Sequence, residues 1–216
     1  MKMIYNWILE LLYPGKCTFC NKLLHWKETD LCSTCRMALE EVHKPLRKGS
    51  FFQCCYSAYY YRDSVASAIK RYKFAGKEHY AQCFGRLLAM KLLKEQVQMD
   101  VITWAPVSSK RRFRRGYDQS QELAKVVGRE LGVPVVRMLK KVKHTTAQAT
   151  MKDPSARLAN VFNVYKAVHP EKIRGRRILV IDDVITTGAT LNECCRILKM
   201  AGADTLLCAT FASAGN

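Results

Sequence analysis

Apolar residues fall into two patterns along this chain: short unbroken runs, and longer stretches in which they recur every three or four positions. Unbroken runs bounded by turn residues are typical of strands covered on both faces, and the longer spacing is typical of helices with one buried side. The predicted strands are "FFQCCYSAYYY" (51–61), "DVITWAP" (100–106), "VPVVRML" (133–139), 176–181 and "TLLCATFA" (205–212), and the predicted helices cover about 64–72, 79–96, 119–131 and 189–201.

Strands and helices alternate through most of the chain, and this order predicts an α/β fold with a mainly parallel sheet flanked by helices. The segment "KPLRKGS" (44–50) has the composition of a connector. We therefore expect an N-terminal helix and metal-binding module over 1–48, followed by an α/β domain over 49–216.

The first residues have the spacing of a short amphipathic helix. Its apolar positions are Ile4, Trp7, Ile8, Leu11 and Leu12. The segment is too short to span a bilayer, so we expect a helix that docks on its own domain; an anchor on a membrane surface is the alternative. This favours a cytoplasmic protein, which could reach the inner face of the membrane through partners.

Four of the ten cysteines form two pairs, Cys17-x2-Cys20 and Cys32-x2-Cys35. Two thiolates spaced in this way can grip one tetrahedral ion, and a second pair closes the site, so the spacing predicts structural zinc. Chance spacing and a labile disulfide are the alternatives, and His25 or His43 could replace one cysteine as a ligand. The other six cysteines lie in apolar segments and are expected to be small core residues.

The stretch "RRILVIDDVITTGATL" (176–191) carries two aspartates, Asp182 and Asp183, at the end of a predicted strand. In open α/β sheets ligands bind at this end. A helix start lined with hydroxyl groups follows and can cradle a phosphate, whereas the carboxylates suit sugar hydroxyls or Mg²⁺. Together they predict a pocket for a ribose 5-phosphate; the alternative is an ordinary buried strand followed by an acidic N-cap and a tight turn. The phosphate-binding residues of this bend are Thr186, Thr187, Gly188, Ala189 and Thr190.

The formal net charge is +18, from 36 Lys and Arg against 18 Asp and Glu. Residues 110–143 alone contain eleven Lys or Arg and three acids, which is +8 of the total. Such clustering favours a polyanionic partner: nucleic acid first, or an anionic membrane surface or a phosphorylated small molecule.

Two basic segments interleave cations with aromatic rings, "SSKRRFRRGYDQS" (108–120) and "KRYKFAGK" (70–77). Cations can contact phosphates while rings stack on bases, which is the chemistry of single-strand binding. The candidates are Lys110, Arg111, Arg112, Arg114, Arg115 and Tyr117, then Lys70, Arg71, Lys73 and Lys77, with Lys140, Lys141 and Lys143 as an extension.

The polar stretch 145–160 has few large apolar residues and is expected to form part of a small hood over the site. Its hydrogen-bonding side chains are Thr145, Thr146, Gln148, Arg157 and Asn160. Arg157 could instead begin an ordinary surface helix.

The segment "ILVIDDVITTGATL" resembles the phosphoribosyl pyrophosphate motif of type I phosphoribosyltransferases. This resemblance implies that Asp182 and Asp183 bind the ribose 2- and 3-hydroxyls and organise Mg²⁺, and that residues 186–190 surround the 5-phosphate. It also implies an alternative to nucleic acid for Lys110 and Arg111, which would hold a bound pyrophosphate as the equivalent loop of these enzymes does.

Four further segments occur in the order found in the ComF family, which the chain resembles over nearly its whole length. They are "CTFC…CSTC", "IKRYKFAGK" (69–77), "APVSSKRRFRRGYDQSQELA" (105–124) and "TTAQATMKDPSARLANVFNV" (145–164). The resemblance implies a phosphoribosyltransferase fold and a role in bringing single-stranded DNA into competent bacteria, together with a helicase-like competence protein and recombination proteins. The chain departs from the family pattern at Ser108 and at Tyr117–Asp118, where Asp118 adds a negative charge beside the expected anion site.

Two functions are compatible with these features. The first is a DNA-uptake factor of natural transformation that binds single-stranded DNA and a phosphoribosyl pyrophosphate-type ligand. The alternative is an active Mg²⁺-dependent phosphoribosyltransferase acting on an unidentified base. No residue of the sequence can be assigned as a general acid or base, which weakens the alternative.

Overall fold

The structure is a computed structural model that describes residues 15–45, 49–142 and 164–215. The predicted N-terminal helix, the predicted hood over 145–160 and Lys143 lie outside the described residues. No helix in the described ranges is long and apolar enough to cross a membrane.

A four-stranded parallel sheet forms the centre of the fold, as the alternating pattern predicts. Its strands are β1 (Cys55–Tyr60), β2 (Val101–Trp104), β5 (Arg177–Ile185) and β6 (Thr205–Ser213), in the spatial order β1-β6-β5-β2. The first four apolar residues of β5, 178–181, have no exposed surface. The strand is therefore covered on both faces, which explains its unbroken apolar run.

Helices cover the two faces of the sheet and form two separate cores. On one face, α2 (Asp63–Phe74), α3 (Tyr80–Lys94) and α5 (Gln119–Leu131) pack in a core with Leu179 and Ile181. On the other face, α6 (Ala189–Met200) packs in a core with Ile178 and Val180. This alternation follows from the strand geometry, in which successive side chains point to opposite faces.

The cysteine-containing segment packs directly against the first of these cores. It contains one short helix, α1 (Ser33–Ala38). The ring of Phe19, which lies between the first two cysteines, is buried, with its centroid 5.9 Å from that of Phe84 and 6.3 Å from that of Phe211. Arg71 of α2 donates hydrogen bonds to the carbonyl oxygens of Thr18 and Phe19, at 2.9 and 2.6 Å. These contacts tie the segment to the end of α2.

Three predicted elements differ in the structure. The strand expected over 176–181 continues to Ile185, so the two aspartates lie within the strand. The basic segment expected as a loop contains a helix, α4 (Ser109–Arg115), because Ser108 caps its first turn and Gly116 ends it with a positive φ of 85°.

The strand expected over 133–139 is wrong. Val135 makes only an isolated bridge to Ile102, and the strand β3 (Leu139–Lys141) pairs instead with β4 (Tyr165–Ala167) in a separate antiparallel sheet. Pro134 lacks an amide hydrogen and cannot donate to a ladder, which disfavours a regular strand there. The two-stranded sheet brings residues on either side of the predicted hood together.

Candidate functional site

The two aspartates of β5 have different protein partners. Asp182 Oδ1 accepts hydrogen bonds from Ser120 Oγ at 2.7 Å and from the backbone amide of Asp183 at 2.8 Å. Asp183 Oδ1 lies 2.8 Å from the Nζ atom of Lys73, in the last turn of α2. The carboxylates are therefore held between the C-terminal end of α2 and the N-terminal end of α5.

Enclosure changes the electrostatics of the pair. Burial, followed by the neighbouring charge of Asp183, raises the pKa of Asp182 to about 7. The hydrogen bond from Ser120 favours the charged form, but it does not outweigh desolvation. Around neutral pH, Asp182 can therefore act as a proton donor or as an acceptor towards a bound hydroxyl group.

The bend after β5 leaves several backbone amides open. Within the described residues, the amides of Thr186, Thr187 and Gly188 donate to no protein acceptor. Gly188 adopts a φ of 78° and precedes α6, a helix of 12 residues. Thr186 is exposed, and Thr187 and Thr190 are half-buried. Open amides at a helix start, beside hydroxyl groups, form a suitable cradle for a phosphate.

The edge of the small antiparallel sheet adds positive charge near the acidic pair. Lys141 Nζ lies 3.5 Å from the hydroxyl of Tyr165 and 5.2 Å from the centroid of that ring. Burial and then the charge of Arg111 lower the pKa of Lys141, whereas Asp182 raises it. Arg111, Lys141 and Asp182 therefore share one electrostatic environment, whereas Lys140 is exposed to solvent.

Helix α4 presents a basic, aromatic surface and has no buried residue. Its Phe113 is 94% exposed, the highest value among the large apolar side chains of the described ranges. Lys110, Arg112 and Arg114 are also exposed. We call Phe113 and these three cations, together with Phe74, Lys70 and Lys77, the basic face.

Arg115 joins the two segments of the basic face. Its guanidinium lies 5.0 Å from the ring centroid of Phe74, which is 65% exposed at the end of α2. The Arg115 guanidinium also donates a hydrogen bond to Gln119 Oε1 at 2.6 Å. Gln119 immediately precedes Ser120, which contacts Asp182. The basic face and the acidic pair are therefore connected through the first residues of α5.

Two residues predicted to contact nucleic acid have structural roles. The Tyr117 ring is buried, and its hydroxyl donates to the backbone carbonyl of Tyr72, so it offers no surface to a base. Arg71 binds the cysteine-containing segment, as described above. Both side chains pack inward because α2, α5 and that segment meet at this point. Lys73 likewise contacts Asp183 instead of joining Lys70 and Lys77 at the surface.

Asp118, expected to place a negative charge beside the anion site, caps α5 instead. Its carboxylate accepts from the backbone amides of Val107 and Gln121, at 3.0 and 3.2 Å. Burial raises the pKa of its side chain. The residue fixes the turn that leads from β2 into α4, and Ser108 caps the other end of that turn.

The four predicted metal ligands lie together, and their sulfur atoms are all within 4.8 Å of one another. Cys20 Sγ and Cys32 Sγ are 3.7 Å apart. In a tetrahedral site with zinc–sulfur distances of about 2.3 Å the sulfur atoms are about 3.8 Å apart, so this cluster can hold a metal ion. Burial opposes ionisation of Cys17, but hydrogen bonds from the backbone of Cys20, Cys32 and Phe19 lower its pKa to about 7.

Sequence reasoning missed two contacts of the acidic pair. Ser120 was not singled out, although the "DQS" letters that contain it belong to one of the family-like segments. The basic neighbours of Lys73 favour a contact with nucleic acid instead. Only the packing of α2 and α5 against β5 brings these two side chains to the carboxylates.

Comparison with known proteins agrees with this geometry. A model of the phosphoribosyl transferase domain matches residues 118–216, which include β5, the acidic pair and the bend. The parallel sheet and this match define the class: the α/β part of the chain is a domain of the type I phosphoribosyltransferase fold.

Similar proteins extend over most of the chain. Competence protein F of Haemophilus influenzae is 29% identical over 214 residues, covering 88% of this chain and 93% of that protein. DNA utilization protein YhgH of Shigella flexneri is 30% identical over 209 residues, covering 92% and 90%. Competence protein ComFC of Streptococcus pneumoniae is 29% identical over 143 residues, covering 66% and 60%. The chain belongs to the ComF family.

Proposed function

We propose that this protein acts in natural transformation, binding incoming single-stranded DNA on its basic face and a phosphoribosyl pyrophosphate-type sugar phosphate at the acidic pair. The names of its relatives, which refer to competence and to DNA utilization, support the biological setting. The family resemblance further suggests a helicase-like competence protein and recombination proteins as partners.

The observation that carries the DNA-binding proposal is the exposure of Phe113 among cations. An apolar ring that is 94% exposed gains free energy by stacking on an unpaired base, and base–aromatic stacking contributes about 1–3 kcal/mol per base. Duplex DNA keeps its bases stacked on one another, so exposed rings favour single strands. Lys110, Arg112 and Arg114 provide the charge that a phosphate backbone requires.

The sugar-phosphate proposal is supported by the bend and the acidic pair together. Three open amides and the hydroxyls of Thr186, Thr187 and Thr190 suit a 5-phosphate. Carboxylates of Asp182 and Asp183, which lie a few residues before the bend, suit the vicinal hydroxyls of the same pentose. Arg111 and Lys141 carry positive charge near Asp182, where a pyrophosphate group could extend.

For the cysteine cluster we propose structural zinc. Four sulfur ligands complete a tetrahedral shell and leave no position for a substrate, which is typical of structural sites. No disulfide joins any of the ten cysteines, all of which lie in the described ranges, and this is compatible with the reducing, cytoplasmic location that we propose.

Phosphoribosyl transfer to an unidentified base is the second candidate function, favoured by the complete acidic pair and open bend. Mg²⁺ would then arrive on the pyrophosphate of the ligand, because Ser120 and Lys73 already engage the two carboxylates. The ion would neutralise the leaving group, while the chain's own residues would position the pentose. Release of pyrophosphate with any base would establish this activity.

The proposed function is tested by titrating the purified protein with fluorescent oligothymidylate at several salt concentrations, with a duplex of equal length for comparison. We expect tighter binding of the single strand and a linear fall of log K with log salt of about 0.7 per neutralised phosphate. Equal affinity for duplex and single strand would contradict the role given to the exposed rings.

A further inference from the structure

Among the described residues, Lys73 forms an ion pair with the acidic pair. Its Nζ atom is 2.8 Å from Asp183 Oδ1, and the side chains of the two residues are only 22% and 13% exposed. When an ion pair is largely removed from water, removal of either partner leaves a buried charge without compensation, which is strongly unfavourable. Lys73 is therefore a fixed part of this site.

The two carboxylates are oriented by protein groups before any ligand arrives. Asp182 Oδ1 accepts from Ser120 Oγ and from the amide of Asp183, and Asp183 Oδ1 is occupied by the ammonium group. A divalent ion bound by the pair would have to lie next to that ammonium, against electrostatic repulsion. Magnesium is usually bound through one or two carboxylates and several waters, and Lys73 already holds one of the carboxylate oxygens that such an ion would use.

We propose that Lys73 permanently supplies the positive charge that balances the acidic pair. As a consequence, Asp182 and Asp183 bind the hydroxyls of a sugar phosphate without a divalent ion on their own carboxylates. The inference rests on the proposed sugar-phosphate function of the same site. An ammonium group has three hydrogens, and those not directed at Asp183 can be donated to sugar oxygens. Lys73 is thus a positioning residue for the pentose.

The chain offers a matched control on α5. Lys125 forms an ion pair of the same length, 2.8 Å, with Glu122, but its side chain is 53% exposed. Replacing Lys125 by Met removes the same charge and a comparable contact at the surface. Any effect specific to Lys73→Met then reports on the acidic pair and not on the net charge.

Ribose 5-phosphate is the suitable probe, because it lacks the pyrophosphate group that would chelate Mg²⁺ by itself. We expect the wild type and Lys125→Met to bind it equally in EDTA and in Mg²⁺, as measured by calorimetry. Lys73→Met should bind about tenfold more weakly in EDTA, a loss typical of one charged hydrogen bond, and should recover part of this in Mg²⁺. Lys73→Arg should remain independent of Mg²⁺. A wild type that requires Mg²⁺, or a Lys73→Met variant identical to Lys125→Met, would overturn the proposal.

A second measurement does not depend on the sugar. Zinc-loaded protein is titrated with Mn²⁺ and followed by electron paramagnetic resonance. The wild type should have no Mn²⁺ site at Asp183, so Asp183→Asn should leave its Mn²⁺ binding unchanged. Lys73→Met should gain one Mn²⁺ site, and the double variant Lys73→Met/Asp183→Asn should lack that site. If ribose 5-phosphate binds to no variant, the proposed pocket function fails, and the Mn²⁺ result alone decides the role of Lys73. A wild-type Mn²⁺ site that Asp183→Asn abolishes would contradict that role.

Discussion

The acidic pair and the basic face are neighbours, because Lys73, which contacts Asp183, is adjacent in sequence to Phe74 of the basic face. Their charges are nevertheless arranged in opposite ways. At the acidic pair the charged groups are enclosed and matched to partners, Asp182 with Ser120 and Asp183 with Lys73. On the basic face, Lys110, Arg112 and Arg114 extend into solvent around an exposed ring. Enclosed, oriented charges suit a small ligand of fixed shape, whereas exposed cations suit a long flexible polyanion.

The largest effect is expected from loss of the cysteine cluster, because the segment that contains it supports both regions. Arg71 joins α2 to the cysteine-containing segment, and the same last turn of α2 carries both Lys73 and Phe74. Cys17→Ser should therefore weaken both regions and destabilise the fold by several kcal/mol, since structural zinc contributes on the order of 10 kcal/mol in small metal-dependent domains. Elemental analysis and thermal unfolding measure this.

The control for that variant is Cys54→Ser, a half-buried cysteine outside the cluster, which should retain one equivalent of zinc. A Cys17→Ser protein that keeps its zinc and both binding activities would show that the cluster is not a shared support.

The second effect separates the two regions by charge. Replacing Lys110, Arg112 and Arg114 by Ala should reduce the salt slope of single-strand binding by about 2, because three phosphate contacts are lost. Ribose 5-phosphate binding should not change. Replacing Lys172, Arg174 and Arg176 by Ala removes the same charge near the opposite end of β5 and serves as the control. An equal loss of slope in both triple variants would mean that net charge, and not the basic face, binds the DNA.

The third effect concerns the acidic pair, where a substitution should weaken sugar-phosphate binding but not DNA binding. Asp182→Asn should lower the affinity for ribose 5-phosphate about tenfold or more, because hydrogen bonds to a charged group contribute about 1.5–3 kcal/mol. Single-strand affinity should remain at the wild-type value in the same preparation. Parallel losses of both ligands would indicate a single shared site.

The fourth effect concerns the exposed ring. Phe113→Ala should reduce single-strand affinity by about 1–3 kcal/mol while leaving the salt slope intact, since stacking and charge act separately. Trp26, which is 81% exposed on the cysteine-containing segment, provides the aromatic control as Trp26→Ala. If the Trp26 variant loses as much affinity, DNA follows a different path across the surface.

The smallest effect is a pH dependence of stability. Folding raises the pKa of Asp182 from its ordinary value near 3.8 to about 7, so the folded state holds a proton that the unfolded state releases between these values. The free energy of unfolding should therefore fall as pH rises through this window and level off above about 7. The free energy of unfolding is measured with urea at about pH 5 and at about pH 7. Between these two pH values the wild type should lose about 2 kcal/mol more of it than Asp182→Asn does. Identical pH profiles would remove Asp182 as the responsible group.

The sequence predicts much of the fold because its strong patterns are local. The apolar run before Asp182 and the spacing of the four cysteines depend on neighbouring residues, and the parallel sheet and the sulfur cluster follow from them. The limits of β5 were predicted too short, because the aspartates look like the end of a strand although they remain paired with β6.

Contacts between distant segments could not be predicted in the same way. Tyr117 and Arg71 are residue types typical of nucleic-acid-binding surfaces. The packing of α2 on α5 and on the cysteine-containing segment nevertheless turns both side chains inward. Lys73 lies in the same basic run as Lys70, and only the helical rotation of α2 directs one to Asp183 and the other to solvent. Charge counts predict that a binding surface exists, and tertiary packing decides which residues belong to it.

The most direct test of the central claim is a calorimetric titration of ribose 5-phosphate into the wild type and Asp182→Asn, each with and without saturating oligothymidylate. We expect one equivalent to bind to the wild type with the same affinity in both conditions, and the variant to bind much more weakly in both. Retention of full affinity by Asp182→Asn, or loss of sugar-phosphate binding when the single strand is present, would contradict a pentose pocket at the acidic pair that is distinct from the basic face.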